Sequence, residues 1–181
     1  MSWSDLFTYW QAKHVGGIPP ARADLDPIAE IPKLVRNLIL IDCLADGYRY
    51  RLIGSELVSR MGRDVTGKDP QHGRYNPGLV ERWIAALDLV SKTREPQLLR
   101  SHLEGGGTAL TLMLPLVSRE GSTEMLLGGS FSESPTEGFW QPNQLERVDM
   151  AALPANTADG SYPSRRNEEN VRARWATKYF A

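Results

Sequence analysis

Tyr48-Arg49-Tyr50-Arg51-Leu52-Ile53-Gly54-Ser55, continued by Met61-Gly62-Arg63-Asp64-Val65-Thr66-Gly67-Lys68, is the stretch whose reading decides the fold. Residues 48–53 alternate, with Tyr48, Tyr50 and Leu52 on one side and Arg49, Arg51 and Ile53 on the other. That is the two-residue period of a strand with unlike faces. Gly54 ends the strand, and Ser55 opens a short helix carrying Leu57, Val58 and Met61. Gly62 and Gly67 then bracket a tight polar loop.

Upstream, Leu38-Ile39-Leu40-Ile41-Asp42-Cys43-Leu44 is a nearly continuous apolar run, which predicts a central strand covered on both faces. Asp46-Gly47 makes the hairpin turn that returns residues 48–53 antiparallel to it. Downstream, Asn76 caps and Pro77 begins a long helix to about Thr93, with Val80, Trp83, Ile84, Leu87 and Val90 on its apolar face. Three strands follow, at Gln97–Leu103, Thr108–Val117 and Glu124–Phe131, separated by turns at residues 105–107 and 119–122. Gly128-Gly129 allows a bulge, or the close approach of something to the backbone.

At the start of the chain, Trp3, Leu6, Phe7 and Trp10 share one helical stripe after a Ser2 or Ser4 cap. Such a stripe packs either on the domain's own core or against a second copy, and these four residues are the candidates for a dimer interface. Residues 18–36 are proline-rich and wrap the surface, with Asp26 capping a one-turn helix that begins at Pro27. Residues 132–167 turn rich in Pro, Ser, Thr, Asn and Gly, which predicts loop or linker. Val171, Trp175 and Tyr179 are spaced for a terminal helix over Glu168–Phe180. The expected division is therefore a helix and wrap over residues 1–36, a core over 37–133 and a tail over 134–181.

The bulk numbers exclude several function classes. The 181 residues carry 21 Lys and Arg against 22 Asp and Glu, a net charge of −1, so no positive excess drives binding to nucleic acid or anionic membrane. The apolar share of 41% is ordinary for a globular chain. No apolar run approaches the roughly 20 residues that span a bilayer. The single cysteine, Cys43, has no internal disulfide partner and is expected as a buried, reduced thiol. With no signal-peptide pattern at Met1-Ser2-Trp3-Ser4-Asp5, a cytoplasmic location is expected.

Five antiparallel strands with helices inserted after the second give an α+β fold of the PAS type. The chain resembles one bacterial single-PAS family in particular. The resemblance is carried by Tyr9-Trp10, Ile18 to Pro27, Leu40-Ile41-Asp42, Tyr48 to Gly54, Gly62-Arg63-Asp64-Val65-Thr66-Gly67 and Leu114-Pro115-Leu116. It implies a sensor or adaptor module without catalysis of its own, commonly a homodimer, that binds a small ligand, a signalling partner or both. The other reading is a purely protein-interacting module with a filled core. The resemblance names no cofactor.

The residues themselves offer little catalytic chemistry. His14, His72 and His102 stand far apart and outside any metal motif, and no GxSxG elbow is present. Arg49 and Arg51 would either clamp an anion or pair with carboxylates such as Asp42 or Asp64, the structural pairing being the favoured outcome. In this topology the long helix and the inner sheet face enclose a space. The expected ligand-pocket residues there are Tyr50, Arg51, Trp83, Leu87, His102, Leu112 and Met113.

Overall fold

The computed structural model describes residues 2–70, 76–118, 121–134 and 138–153. The helices are α1 (Trp3–Ala12), α2 (Pro27–Glu30), α3 (Ser55–Met61) and α4 (Pro77–Thr93). The strands are β1 (Leu38–Leu44), β2 (Gly47–Ile53), β3 (Gln97–Leu103), β4 (Thr108–Val117), β5 (Thr123–Ser132) and β6 (Pro142–Val148). They form one antiparallel sheet in the order β2-β1-β5-β4-β3-β6. The apolar run of β1 is central, as its composition predicts, lying between β2 and β5.

β6 is a correction. The composition predicts loop across residues 132–167 and a sheet of five strands, yet Pro142–Val148 pairs with β3 as a sixth. Its signal is weak because it is an edge strand in which only Leu145 is buried. Pro142 stands at its first position, where a missing N–H is tolerated. The sheet therefore runs past residue 133. The turn predicted at Arg119-Glu120, the terminal helix predicted over 168–180, and His72 lie outside the described residues.

One sheet face is covered by the N-terminal segment. Trp3, Leu6, Phe7, Tyr9 and Trp10 of α1 pack with Leu38 and Leu40 of β1, Leu110, Leu112, Leu114 and Leu116 of β4, and Leu127 and Phe131 of β5. The stripe predicted for the dimer interface therefore fills the chain's own core. Leu6 and Trp10 have no exposed surface, and Phe7 keeps 1%. Asp5 and Thr8 are on the side of α1 left to solvent. The helix is anchored by a polar contact too, since Trp10 Nε1 donates to the Pro115 carbonyl at 2.9 Å.

On the other face lie α3 and α4, whose Leu57, Leu87 and Val90 pack on Ile39, Ile41, Met113 and Leu126. The two glycines of β5 serve close approach, with no bulge: pairing with β1 and β4 runs through them without a shift. A Cβ on Gly128 would lie 2.5 Å from Met113 Sδ, and one on Gly129 would lie 2.7 Å from Leu6 Cδ2. The paired glycines thus let a core side chain settle on each face of the sheet.

The β2–α3 junction is fixed by Gly54. Its N–H donates to the Leu38 carbonyl at 2.8 Å, and a Cβ there would sit 2.3 Å from the Arg36 carbonyl oxygen. Gly67, by contrast, has open space around it and needs glycine only for its φ of +78°. Gly67→Ala should cost about 1–2 kcal/mol, the ordinary penalty for a left-handed residue. Gly54→Ala must displace backbone and should cost clearly more. Urea unfolding of both variants checks this, and equal losses would contradict the close packing at Gly54.

Candidate functional site

Between the inner sheet face and the helices lies a cavity of about 520 Å³. Ile39, Tyr50, Ile53, Ser101, Leu103, Ala109, Thr111 and Ser130 line it from the sheet. Leu57 and Met61 of α3, with Leu79, Val80 and Trp83 of α4, line it from the helices. The segment from Arg63 to Pro70 contributes a further wall, and Trp140, Pro142 and Leu145 another.

Each wall has a local cause. The glycine-bracketed loop is laced to β2 by two backbone hydrogen bonds, Tyr50 N to Lys68 O at 2.9 Å and Gly67 N to Tyr50 O at 2.6 Å. Within the loop, the Thr66 N–H donates to Asp64 Oδ1 at 2.8 Å, and hydrogen bonding from Thr66 holds the Asp64 carboxyl below its usual range. The wall from Trp140 depends on α3. Its N–H donates to the Arg60 carbonyl at 2.6 Å, and the Arg60 guanidinium lies 4.5 Å from its ring centroid. Arg60 is itself aimed by Glu56 at 2.7 Å, one helical turn away. Gly62 closes α3 in the left-handed region with φ +66°, where a Cβ would meet the Phe139 ring at 2.9 Å.

The floor holds hydroxyl groups amid apolar side chains. Thr111 Oγ1 donates to Ser130 Oγ at 2.9 Å, and Ser101 lies on the neighbouring strand. All three residues are buried. Trp83 Nε1 on the α4 wall has no hydrogen-bond partner among the described residues.

The cavity gathers Tyr50 and Trp83 of the predicted pocket residues and leaves out the other five. Arg51 faces away from the cavity, as its alternation with Tyr50 already requires, and a register shift leaves it as the extra residue of a bulge: Leu40 pairs with Leu52 but Ile41 pairs with Tyr50. Beyond the bulge the alternation is reversed. Ile53 lines the cavity with Tyr50, while Leu52 is 42% exposed. On the far side Asp42 accepts from Arg49 at 2.9 and 3.2 Å and from Arg51 at 3.4 Å, the structural pairing favoured from the sequence. Leu87 and Met113 are filled core of the inner face, and Leu112 belongs to the α1 face.

His102 alternates with Ser101 and so faces away from the cavity, its Nε2 3.5 Å from Glu146 Oε1. Residues that sequence reasoning missed are Ser101, Thr111, Ser130 and Trp140. Thr111 has the parity of Met113 on β4, a signal that was present, while strand pairing sets Ser130 opposite Thr111 and Ser101 opposite Ala109, and Trp140 became visible only with β6.

Cys43 and Tyr48 flank the inner core. Burial pushes the Cys43 thiol up to about 11, so it is protonated at neutral pH and a poor nucleophile. The Tyr48 hydroxyl donates to Asp88 Oδ1 at 2.7 Å.

A sequence profile of the PAS-domain family matches residues 1–130, more than half of the chain. The chain belongs to the PAS-domain family. No curated protein sequence matches it. Among solved structures it is similar to a light-oxygen-voltage domain studied with a flavin analogue, at 16% identity over 61% of this chain and 87% of that one, TM-score 0.45. It is similar to a PAS domain from Colwellia psychrerythraea at 13% identity, over 59% of this chain and 97% of that one, TM-score 0.45. It is similar also to Vibrio cholera VqmA in a ligand–DNA complex, at 12% identity over 60% of this chain and 52% of that one, TM-score 0.47. PAS domains are sensory modules of signal transduction, and the family places this chain among them at that level. No helix among the described residues is long and apolar enough to cross a membrane.

A polar cluster on the sheet face away from the cavity contributes to the acid response. Arg100 donates to both Glu133 oxygens at 2.6 and 2.7 Å and to Glu146 Oε1 at 3.2 Å. The hydrogen bonds from Arg100 hold the Glu133 carboxyl below its ordinary 4.5. Because the folded value is the lower one, the contribution of Glu133 to stability is complete above pH 4.5 and is lost as pH falls through the folded value. In urea unfolding, Glu133→Gln should be less stable than the wild type at neutral pH, with the gap narrowing below pH 4.5. A gap that stays constant would remove the pairing as its cause.

Proposed function

We propose that this PAS domain is a non-catalytic sensor that takes a small molecule in the cleft under the Gly62–Lys68 loop and passes its occupancy to a separate signalling protein. The observation that carries the reading is the cavity of about 520 Å³, within the roughly 300–1,000 Å³ typical of small-molecule sites. A module with a filled core, the other reading, has no use for that volume. The walls also suit a relay. A ligand in the cleft touches α4, the loop held to β2 and the Trp140 segment held to α3, so occupancy bears on three separate attachments.

Non-catalytic action is supported by the floor. A serine or threonine becomes a nucleophile through an adjacent base. Among the described residues lining the cavity none is a histidine, and Cys43 is not among them. A cytoplasmic location, a homodimeric state and a signalling partner belong to the proposal as well.

Native mass spectrometry of freshly purified full chain tests the reading. The expected result is a bound small molecule released on denaturation, and its loss from Ala109→Phe, which places a ring in the cavity from the floor while the fold is retained by circular dichroism. A wild-type chain that carries nothing, and gains no thermal stability from a metabolite mixture, would overturn it.

A further inference from the structure

We infer that the molecule held in this cleft is uncharged where it is buried: a mainly apolar compound that turns a neutral polar group, of carbonyl or amide type, toward the sheet. The inference rests on the reading of the cleft as a ligand site. It starts from the hydroxyls of the floor. Thr111 and Ser130 are opposite each other on β4 and β5, and Ser101 of β3 is opposite Ala109, two residues before Thr111 on the same face. The three hydroxyls therefore run diagonally across three neighbouring strands.

Inward positions of a sheet that serve packing alone favour branched aliphatic and aromatic side chains. Here the strip is polar, and its hydrogen bonding is incomplete. Thr111 donates to Ser130 at 2.9 Å, and no described residue accepts the Ser130 hydroxyl proton. That proton, with the lone pairs of Thr111 and Ser101, gives the floor both a donor and acceptors. A carbonyl or amide group satisfies such a set without bringing charge.

The charged lining residues argue the same way. The described parts of the sheet and helices contribute no Lys, Arg or His to the cavity. Among the described lining residues charges stand only on the loop, where Arg63 and Lys68 are balanced by Asp64 and Asp69, and Arg63 and Asp69 are already engaged in interactions of their own. An ionised carboxylate or phosphate carried to the floor would lose its water and find no cation there. Burying an unpaired ion costs far more than burying a hydrogen-bonded neutral group.

The test uses three probes of one shape: 2-naphthamide, 2-naphthoate and naphthalene, titrated at pH 7 into the full chain and read by tryptophan fluorescence. The amide is expected to bind at least about tenfold more tightly than the carboxylate. It should exceed naphthalene by about two- to tenfold, the worth of a hydrogen bond. In Ser130→Ala or Thr111→Val the advantage of the amide over naphthalene should shrink, with naphthalene unchanged. Naphthoate binding as tightly as the amide would overturn the inference and leave the cleft as a ligand site, and so would an amide advantage that survives in both variants. Failure of all three probes to bind would sink the cleft reading and the inference together.

Discussion

The far end of β4 has no β3 beside it, and how that bare edge is satisfied governs the rest of the molecule. β3 pairs with β4 only as far as Met113, so Leu114 to Val117 run on against β5 alone. Pro115 brings no N–H to be left over on the vacated side. Its carbonyl is taken by the Trp10 indole at 2.9 Å, and the Val117 N–H donates to the Pro20 carbonyl at 3.1 Å. These two bonds, from groups 95 or more residues away in sequence, tie the N-terminal segment to the sheet. With α1 fixed across one face, only the other is open to α3 and α4.

The two faces then meet different ends. Under α1, aromatic and leucine side chains fill the space, and even the polar edge of Trp10 has a partner. Under α4 the filling is partial: Leu87, Val90 and Met113 close one end, while the other remains hollow between Trp83, Trp140 and the hydroxyl floor. Dense packing on the first face gives the sheet the rigidity that a hollow second face needs, because a cavity costs stability wherever its lining cannot collapse.

How much of this was legible follows from which signals are local. The apolar continuity of β1, the Asn76-Pro77 start of α4 and the Gly62/Gly67 punctuation are local and placed their elements correctly. The resemblance through Tyr9-Trp10, Pro20 and Leu114-Pro115-Leu116 marked residues whose reason is tertiary, since they meet one another across the sheet edge. The alternation of β2 failed after Arg51 because a bulge is set by pairing with β1, which a period of two does not record. β6 failed because an edge strand with one buried residue differs little from loop. The cavity stayed out of reach for a plainer reason: hollow volume is a difference between what surrounds a space and what fills it, and the surrounding residues come from eight elements and their connections.

Trp140, Pro142 and Leu145 lie beyond residue 130, where the family profile ends. The family profile and the cavity lining therefore do not end at the same place in this polypeptide. The portion shared with other PAS domains supplies the scaffold and most of the chamber, whereas the last partition is drawn from outside it. One wall of the chamber is thus built by sequence that the family profile does not describe.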